Sequence, residues 1–324
     1  MKASLGAVRK RRENNAARWV TLRKQSVSAR YHLPEDRSHL TPIKTPRPNV
    51  GSFQPEMVPR PNIHHRNLWS VGTLSRSDVL DVLETARRLK QAGLSGLPVT
   101  PLRGCNLALL NDAPPAEGAG SLRHAALGLG AQVSHLRPSD ARIAPDTADE
   151  ATARMLGRLY DAIDCESMAP ELVARVAHSA GVPVFNGLGS HGHPTRVLAE
   201  LLNMQDQCGG KALDSLSVCF VGDPRTPCGD ALLHAAAATG MELRIAAPRH
   251  RWPPPELLER LRARAVARGE RLKLYENTAQ AGTDTDIVID AHDDPPWPMG
   301  GQVGADRGDY RQFTLQALLV STIS

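Results

Sequence analysis

At 324 residues, with 41% apolar side chains and only 4% aromatic ones, the chain is long enough for two domains whose cores rest on aliphatic residues. The net charge of +5 suggests a polyanion partner, but its distribution argues against a specific nucleic-acid ligand: nine basic residues and one acid in the first thirty positions supply +8, leaving the rest mildly acidic. No apolar run approaches the roughly 18 residues needed to span a bilayer, and the five cysteines, odd in number and without C-x-x-C spacing, read as reduced thiols rather than a disulfide framework or a metal site.

Residues 1–65 read as a basic, then proline-rich tail that buries too little to order itself. A cytoplasmic protein is expected, with mitochondrial import by the basic tail as the alternative. Order begins near Leu68. Ser75-Arg-Ser-Asp78 has the form of a capping box, and Val79, Leu80, Val82, Leu83, Ala86 and Leu89 recur at helical spacing behind it. Short apolar runs at 105–110, 132–136, 161–165 and 182–186 read as strands, with helices around 121–130, 147–159 and 169–180. A long helix at 194–207 follows, broken by Gly209-Gly210. The alternation then restarts with strands at 216–221, 242–246, 271–274 and 286–290 and helices at 228–239 and 254–268. The expected fold is α/β: two doubly wound parallel-sheet domains, 66–200 and 201–324, joined by one long helix.

Ligands of such sheets bind beyond the carboxyl ends of the strands. The first post-strand loop holds Pro115, Ala116, Glu117, Gly118 and Ala119 before a helix capped by Ser121. A Gly-rich turn at a helix start suits an anion, but no Lys or Arg precedes the helix. Glu117 opposes one: a carboxylate about 4 Å from a phosphate costs on the order of 4 kcal/mol per charge pair. The second is Asn186-Gly-Leu-Gly-Ser-His191-Gly-His193-Pro194-Thr195-Arg196. Pro194 fits the first turn of the next helix, placing His193 at its start. His193 can then donate to a substrate carbonyl oxygen, or merely cap the helix, with Arg196 one turn on. In the third, Val221-Gly-Asp223, the carboxylate either orients an amine or caps a helix. The fourth runs from Asp290 through Asp294 to Met299 and Gly300, where clustered acids can meet a cationic substrate or simply form a solvated turn. No glycine fingerprint of a dinucleotide site follows any strand, and no second cluster supports a metal, so neither a cofactor nor a metal is expected.

The order of Pro101-Leu-Arg-Gly-Cys-Asn, Tyr160-Asp-Ala-Ile163, Val182-Pro-Val-Phe-Asn-Gly187, His193-Pro-Thr195 and Val221-Gly-Asp223 resembles the aspartate/ornithine carbamoyltransferase family, nearer its ornithine branch. The resemblance implies carbamoyl transfer from carbamoyl phosphate to ornithine, giving citrulline and phosphate, in a trimer, for arginine biosynthesis. It also places His193 and Arg196 at the catalytic H-P-T-Q motif, and Asp223, Asp294 and Met299 at amino-acid-binding positions.

The same resemblance exposes departures. The family's S-T-R-T-R phosphate loop falls on Pro115, Ala116, Glu117, Gly118 and Ala119, so both arginines are gone. The arginine after the Y-D-A-I strand falls on Glu166, and the amino-acid-binding Asn of the second domain on Pro227. The H-C-L-P segment is absent; the second domain is expected to be incomplete at its C-terminus and to lack the family's closing helix. Lost charge-assisted bonds and added repulsion together reach roughly 8 kcal/mol, about a millionfold in rate or affinity. The expectations are therefore a carbamoyltransferase with impaired catalysis; a non-catalytic relative that binds another small ligand or assembles with an intact paralogue; or a decayed gene product.

Overall fold

The computed structural model describes residues 63, 67–96, 99–111, 117–139, 150–190, 192–264, 271–291 and 307–323, with the backbone alone for 117–120 and 307–309. Residues 1–62, Pro115, Ala116, Asp294 and Met299 lie outside the described residues.

The ordered chain opens with a 3-10 turn, Val71–Thr73, and helix α1, Arg76–Leu94. The capping box forms as expected: Ser75 Oγ accepts from the Asp78 N–H while the Asp78 carboxylate accepts from the Ser75 N–H. Strands β1 (Asn106–Leu110), β2 (Gln132–Leu136), β3 (Ala162–Cys165) and β4 (Val184–Phe185) pair in parallel in the order β2-β1-β3-β4. Helices α2 (Glu117–Gly128), α3 (Glu150–Leu159) and α4 (Pro170–Ala180) connect them. Side chains alternate across β1: Leu107 and Leu109 enter the main core, Ala108 and Leu110 a second core beneath α3 and α4.

Helix α5, Arg196–Gln207, leads to the second sheet. Its residues from Val197 through Gln205 are all buried, because it is packed on every side. Strands β5 (Ser217–Val221), β6 (Glu242–Ala246), β7 (Leu272–Tyr275) and β8 (Ile287–Asp290) again pair in parallel, in the order β7-β6-β5-β8. Helices α6 (Pro227–Thr239), α7 (Pro255–Arg264) and the short α8 (Thr278–Gly282) accompany them, with 3-10 turns at Leu213–Ser215 and Arg249–Arg251. The strand–helix alternation thus gives the two parallel-sheet domains that it predicts.

Three expectations need correction. A closing helix exists: α9, Arg307–Ile323, packs on α1, α2 and α5 of the first domain. Leu315, Leu318 and Leu319 are wholly buried there, and their removal from water drives the docking. The Gly-rich stretch 117–120 is the first turn of α2, so Ser121 lies inside the helix and does not cap it. Pro194 does not enter α5, which starts at Arg196 with Thr195 as its N-cap.

One contiguous apolar cluster joins Leu107 and Phe185 of the first sheet to Val218 and Phe220 of the second through residues of α1, α5, α6 and α9. No helix among the described residues is long and apolar enough to cross a membrane.

Candidate functional site

In the first sheet the strand order reverses between β1 and β3, which are neighbours in space but not in sequence. Such a switch point leaves a crevice at the strand ends. Asn111, one residue past β1, and Glu166, one residue past β3, meet there: Asn111 Nδ2 donates to Glu166 Oε2 at 3.2 Å, and both are buried. Asn111 Oδ1 is in turn hydrogen-bonded to His135 of β2. The chain leaves Glu166 through Ser167, whose φ of 61° lies in the left-handed region, costing a non-glycine residue roughly 1–2 kcal/mol. Strain of that kind persists where surrounding contacts over-determine the backbone.

Two residues before Glu166, Asp164 is buried and accepts the backbone N–H of Gly187 and of Leu188, each at 2.9 Å. Burial pushes its carboxyl up to about 6; the two backbone donors work against that, and the neighbouring Glu166 charge adds to it.

The β4–α5 loop brings in His193 and Arg196. The His193 ring is buried. Its Nδ1 accepts from the Thr195 N–H at 3.3 Å and lies 2.8 Å from the Thr195 hydroxyl. That leaves the ring proton on Nε2, which donates to Asn186 Oδ1 at 2.8 Å. Burial, with the positive charge of Arg311 beside it, lowers the imidazole to about 3, although the Leu68 carbonyl favours the charged form. The ring is therefore a neutral donor, and its partner Asn186 is exposed and free to turn aside.

Arg196 faces Glu200 one turn along α5, at 4.0 Å. Arg311 of α9 reaches the same region. Its guanidinium is buried although the residue as a whole is partly exposed; one Nη donates to the Leu188 carbonyl, and Nη1 has no partner among the described residues. Burial and the Arg196 charge lower its pKa to about 9, with Glu200 opposing. Sequence reasoning missed Arg311, since it expected no closing helix to carry it into the first domain.

At the second sheet, Asp223 follows β5 and is gripped by Arg225, with Nη2–Oδ2 2.7 Å and Nε–Oδ1 3.0 Å. The Arg225 hydrogen bonds hold the Asp223 carboxyl below its ordinary value despite some burial. The cap of α6 is Thr226, whose hydroxyl accepts from the Gly229 N–H, and not Asp223. The structure therefore brings His193 and Arg196 together with Arg311, and sets Asp223 apart on the other sheet. Among the described residues no group of three His, Cys, Asp or Glu gathers that would hold a metal.

The first-domain residues 66–206 match the model of the aspartate/ornithine carbamoyltransferase, carbamoyl-P binding domain. The catabolic ornithine carbamoyltransferase of Pseudomonas putida is 36% identical over 244 residues, covering 75% of this chain and 71% of that protein. In fold, the ornithine carbamoyltransferase of Pyrococcus furiosus superposes with a TM-score of 0.66 at 22% identity, over 81% of this chain and 98% of that one. An aspartate transcarbamoylase from Trypanosoma cruzi, solved in complex with carbamoyl phosphate, gives 0.62 at 18% identity, over 82% and 98%. A sequence match of this extent, on a fold of two four-stranded parallel sheets, means that the chain belongs to the aspartate/ornithine carbamoyltransferase family.

Proposed function

We propose that this is an ornithine-type carbamoyltransferase relative in which citrulline formation is impaired and whose first-domain crevice takes a small ligand other than carbamoyl phosphate. The observation that carries the reading is Glu166. A carboxylate stands buried at the switch point, hydrogen-bonded to Asn111, where the resemblance calls for an arginine. Glu117 opens α2 where another arginine is expected, and Asp164 lies beneath. A dianionic phosphate placed beside such carboxylates loses the charge-assisted bonds that hold it and meets repulsion instead.

His193 keeps one useful property. A neutral ring with its proton on Nε2 can donate to a ligand oxygen once Asn186 swings away, without carrying charge into the crevice. The test is citrulline formation by purified protein at millimolar carbamoyl phosphate and ornithine. The expected result is a rate no greater than that of a His193→Ala variant. Turnover well above that variant overturns the reading.

A second reading, a working carbamoyltransferase with a rebuilt anion site, has one observation in its favour: the buried Arg311 guanidinium, with a donor still to offer, beside Arg196. Under it, carbamoyl phosphate binds the native protein and binding is lost in Arg311→Met.

A further inference from the structure

Strand β4 is two residues long, so its ladder does little to fix the loop that follows and carries His193. The loop's core is buried, and every buried backbone group there needs a partner. Gly187 and Leu188 donate to Asp164 Oδ1, Ser190 donates to the Gly187 carbonyl at 2.9 Å, and Arg311 donates to the Leu188 carbonyl. His193 then donates to the Ser190 carbonyl at 3.3 Å, and Arg196 to the His193 carbonyl at 2.9 Å. Gly187 makes the turn at φ 85°, open to glycine at little cost. Two side chains from outside the loop thus seize a single residue, Leu188, one at its N–H and one at its C=O.

We propose that Asp164 and Arg311 are the positioning residues of the His193 loop: together they clamp Leu188, so that docking of α9 sets the orientation of the His193 ring. The inference goes beyond the reading of the ligand and stands whichever ligand the crevice takes.

The electrostatics favour a matched pair. Asp164 and Arg311 are opposite charges, both buried, that are joined through Leu188; the N–H dipole points its positive end at the carboxylate and the C=O its negative end at the guanidinium. Cys165 and Glu166 follow Asp164 along the chain, Arg196 and Glu200 flank Arg311 from α5, and His193 beside Arg311 is neutral. Removing the Asp164 acceptor or the Arg311 donor leaves the Leu188 N–H or C=O buried without its partner.

The experiment compares the full chain with Asp164→Ala, Asp164→Asn and Arg311→Lys by two readouts. One is amide hydrogen exchange across residues 186–195, with residues 231–245 of the second domain as internal control. The other is the His193 ring state by side-chain nitrogen NMR of histidine-labelled protein, assigned with His193→Asn. The native protein should show a neutral ring, protonated on Nε2, down to pH 5. Asp164→Ala should exchange at least tenfold faster in the loop but not in the control, and its ring should titrate between pH 5 and 7. Asp164→Asn should restore native behaviour, because an amide oxygen still accepts both N–H groups. Should Asp164→Ala fail to fold, Arg311→Lys carries the same expectation of faster loop exchange, since lysine keeps the charge but not the planar reach. Unchanged exchange in Arg311→Lys, an equal rise in the control, or Asp164→Asn behaving like Asp164→Ala overturns the proposal.

Discussion

His193 and Asp164 titrate in opposite senses, and the signs decide how the fold answers acid. His193 is lowered to about 3 in the folded chain, so its contribution is complete above its ordinary value of 6.5 and is lost as pH falls toward 3. Between pH 8 and 5 that loss is about 2 kcal/mol, at 1.36 kcal/mol per unit. Asp164 is raised from 3.8 to about 6, so its contribution is present below 3.8 and lost as pH rises through 6. Over the same interval of falling pH it returns about 1 kcal/mol. Urea unfolding at the two pH values should therefore show Asp164→Asn losing more stability on acidification than the native protein, and His193→Gln losing less. The two residues differ in how far the sequence reveals them. His193 is legible because it follows a strand and precedes a helix, and sequence alone places it at the strand ends. The Asn111–Glu166 contact depends on β1 and β3 being neighbours, a fact of sheet order that no local pattern carries. Arg311 escapes for another reason, since the helix that carries it, α9, is not itself expected from the sequence.

The central strands β1, β3 and β5 are legible because each is a largely apolar run buried on two faces, and the connecting helices follow from the spacing between the strands. Helix α9 is the instructive failure. Its buried face mixes Leu315, Leu318 and Leu319 with Thr314, Gln316, Ser321 and Thr322, so composition disguises a core helix. The threonines fit because their hydroxyls bond back along the helix, Thr314 to the Tyr310 carbonyl at 2.9 Å and Thr322 to the Leu318 carbonyl at 2.8 Å. Three side chains further tie its start to the body: Tyr310 donates to Asp206, Lys90 donates to the same carboxylate, and the Lys90 ammonium sits 4.1 Å from the Tyr310 ring centre. Leu318→Ala should cost about 2–5 kcal/mol, the range for emptying a fully buried site, and calorimetric melting should register it. The capping box at the start of α1 is a smaller test: Ser75→Ala should cost about 1 kcal/mol.

Across the molecule, one apolar cluster runs from the first sheet to the second by way of α1, α5, α6 and α9. Domains that share a core unfold together, so thermal denaturation should give a single transition seen alike by far-ultraviolet circular dichroism and by tryptophan fluorescence. Two separated transitions, or none, would count against the shared core and revive the expectation of a decayed product. The family fold is thus preserved in both sheets and the interdomain helix, while the proposed function rests on a reversal of charge at the first switch point. Calorimetric titration of the full-length protein with carbamoyl phosphate bears most directly on that reversal. The prediction is no saturable binding up to a dissociation constant of about 1 mM, equivalent to roughly 4 kcal/mol of binding free energy. Saturable binding about a thousandfold tighter, and abolished by Arg311→Met, would contradict it.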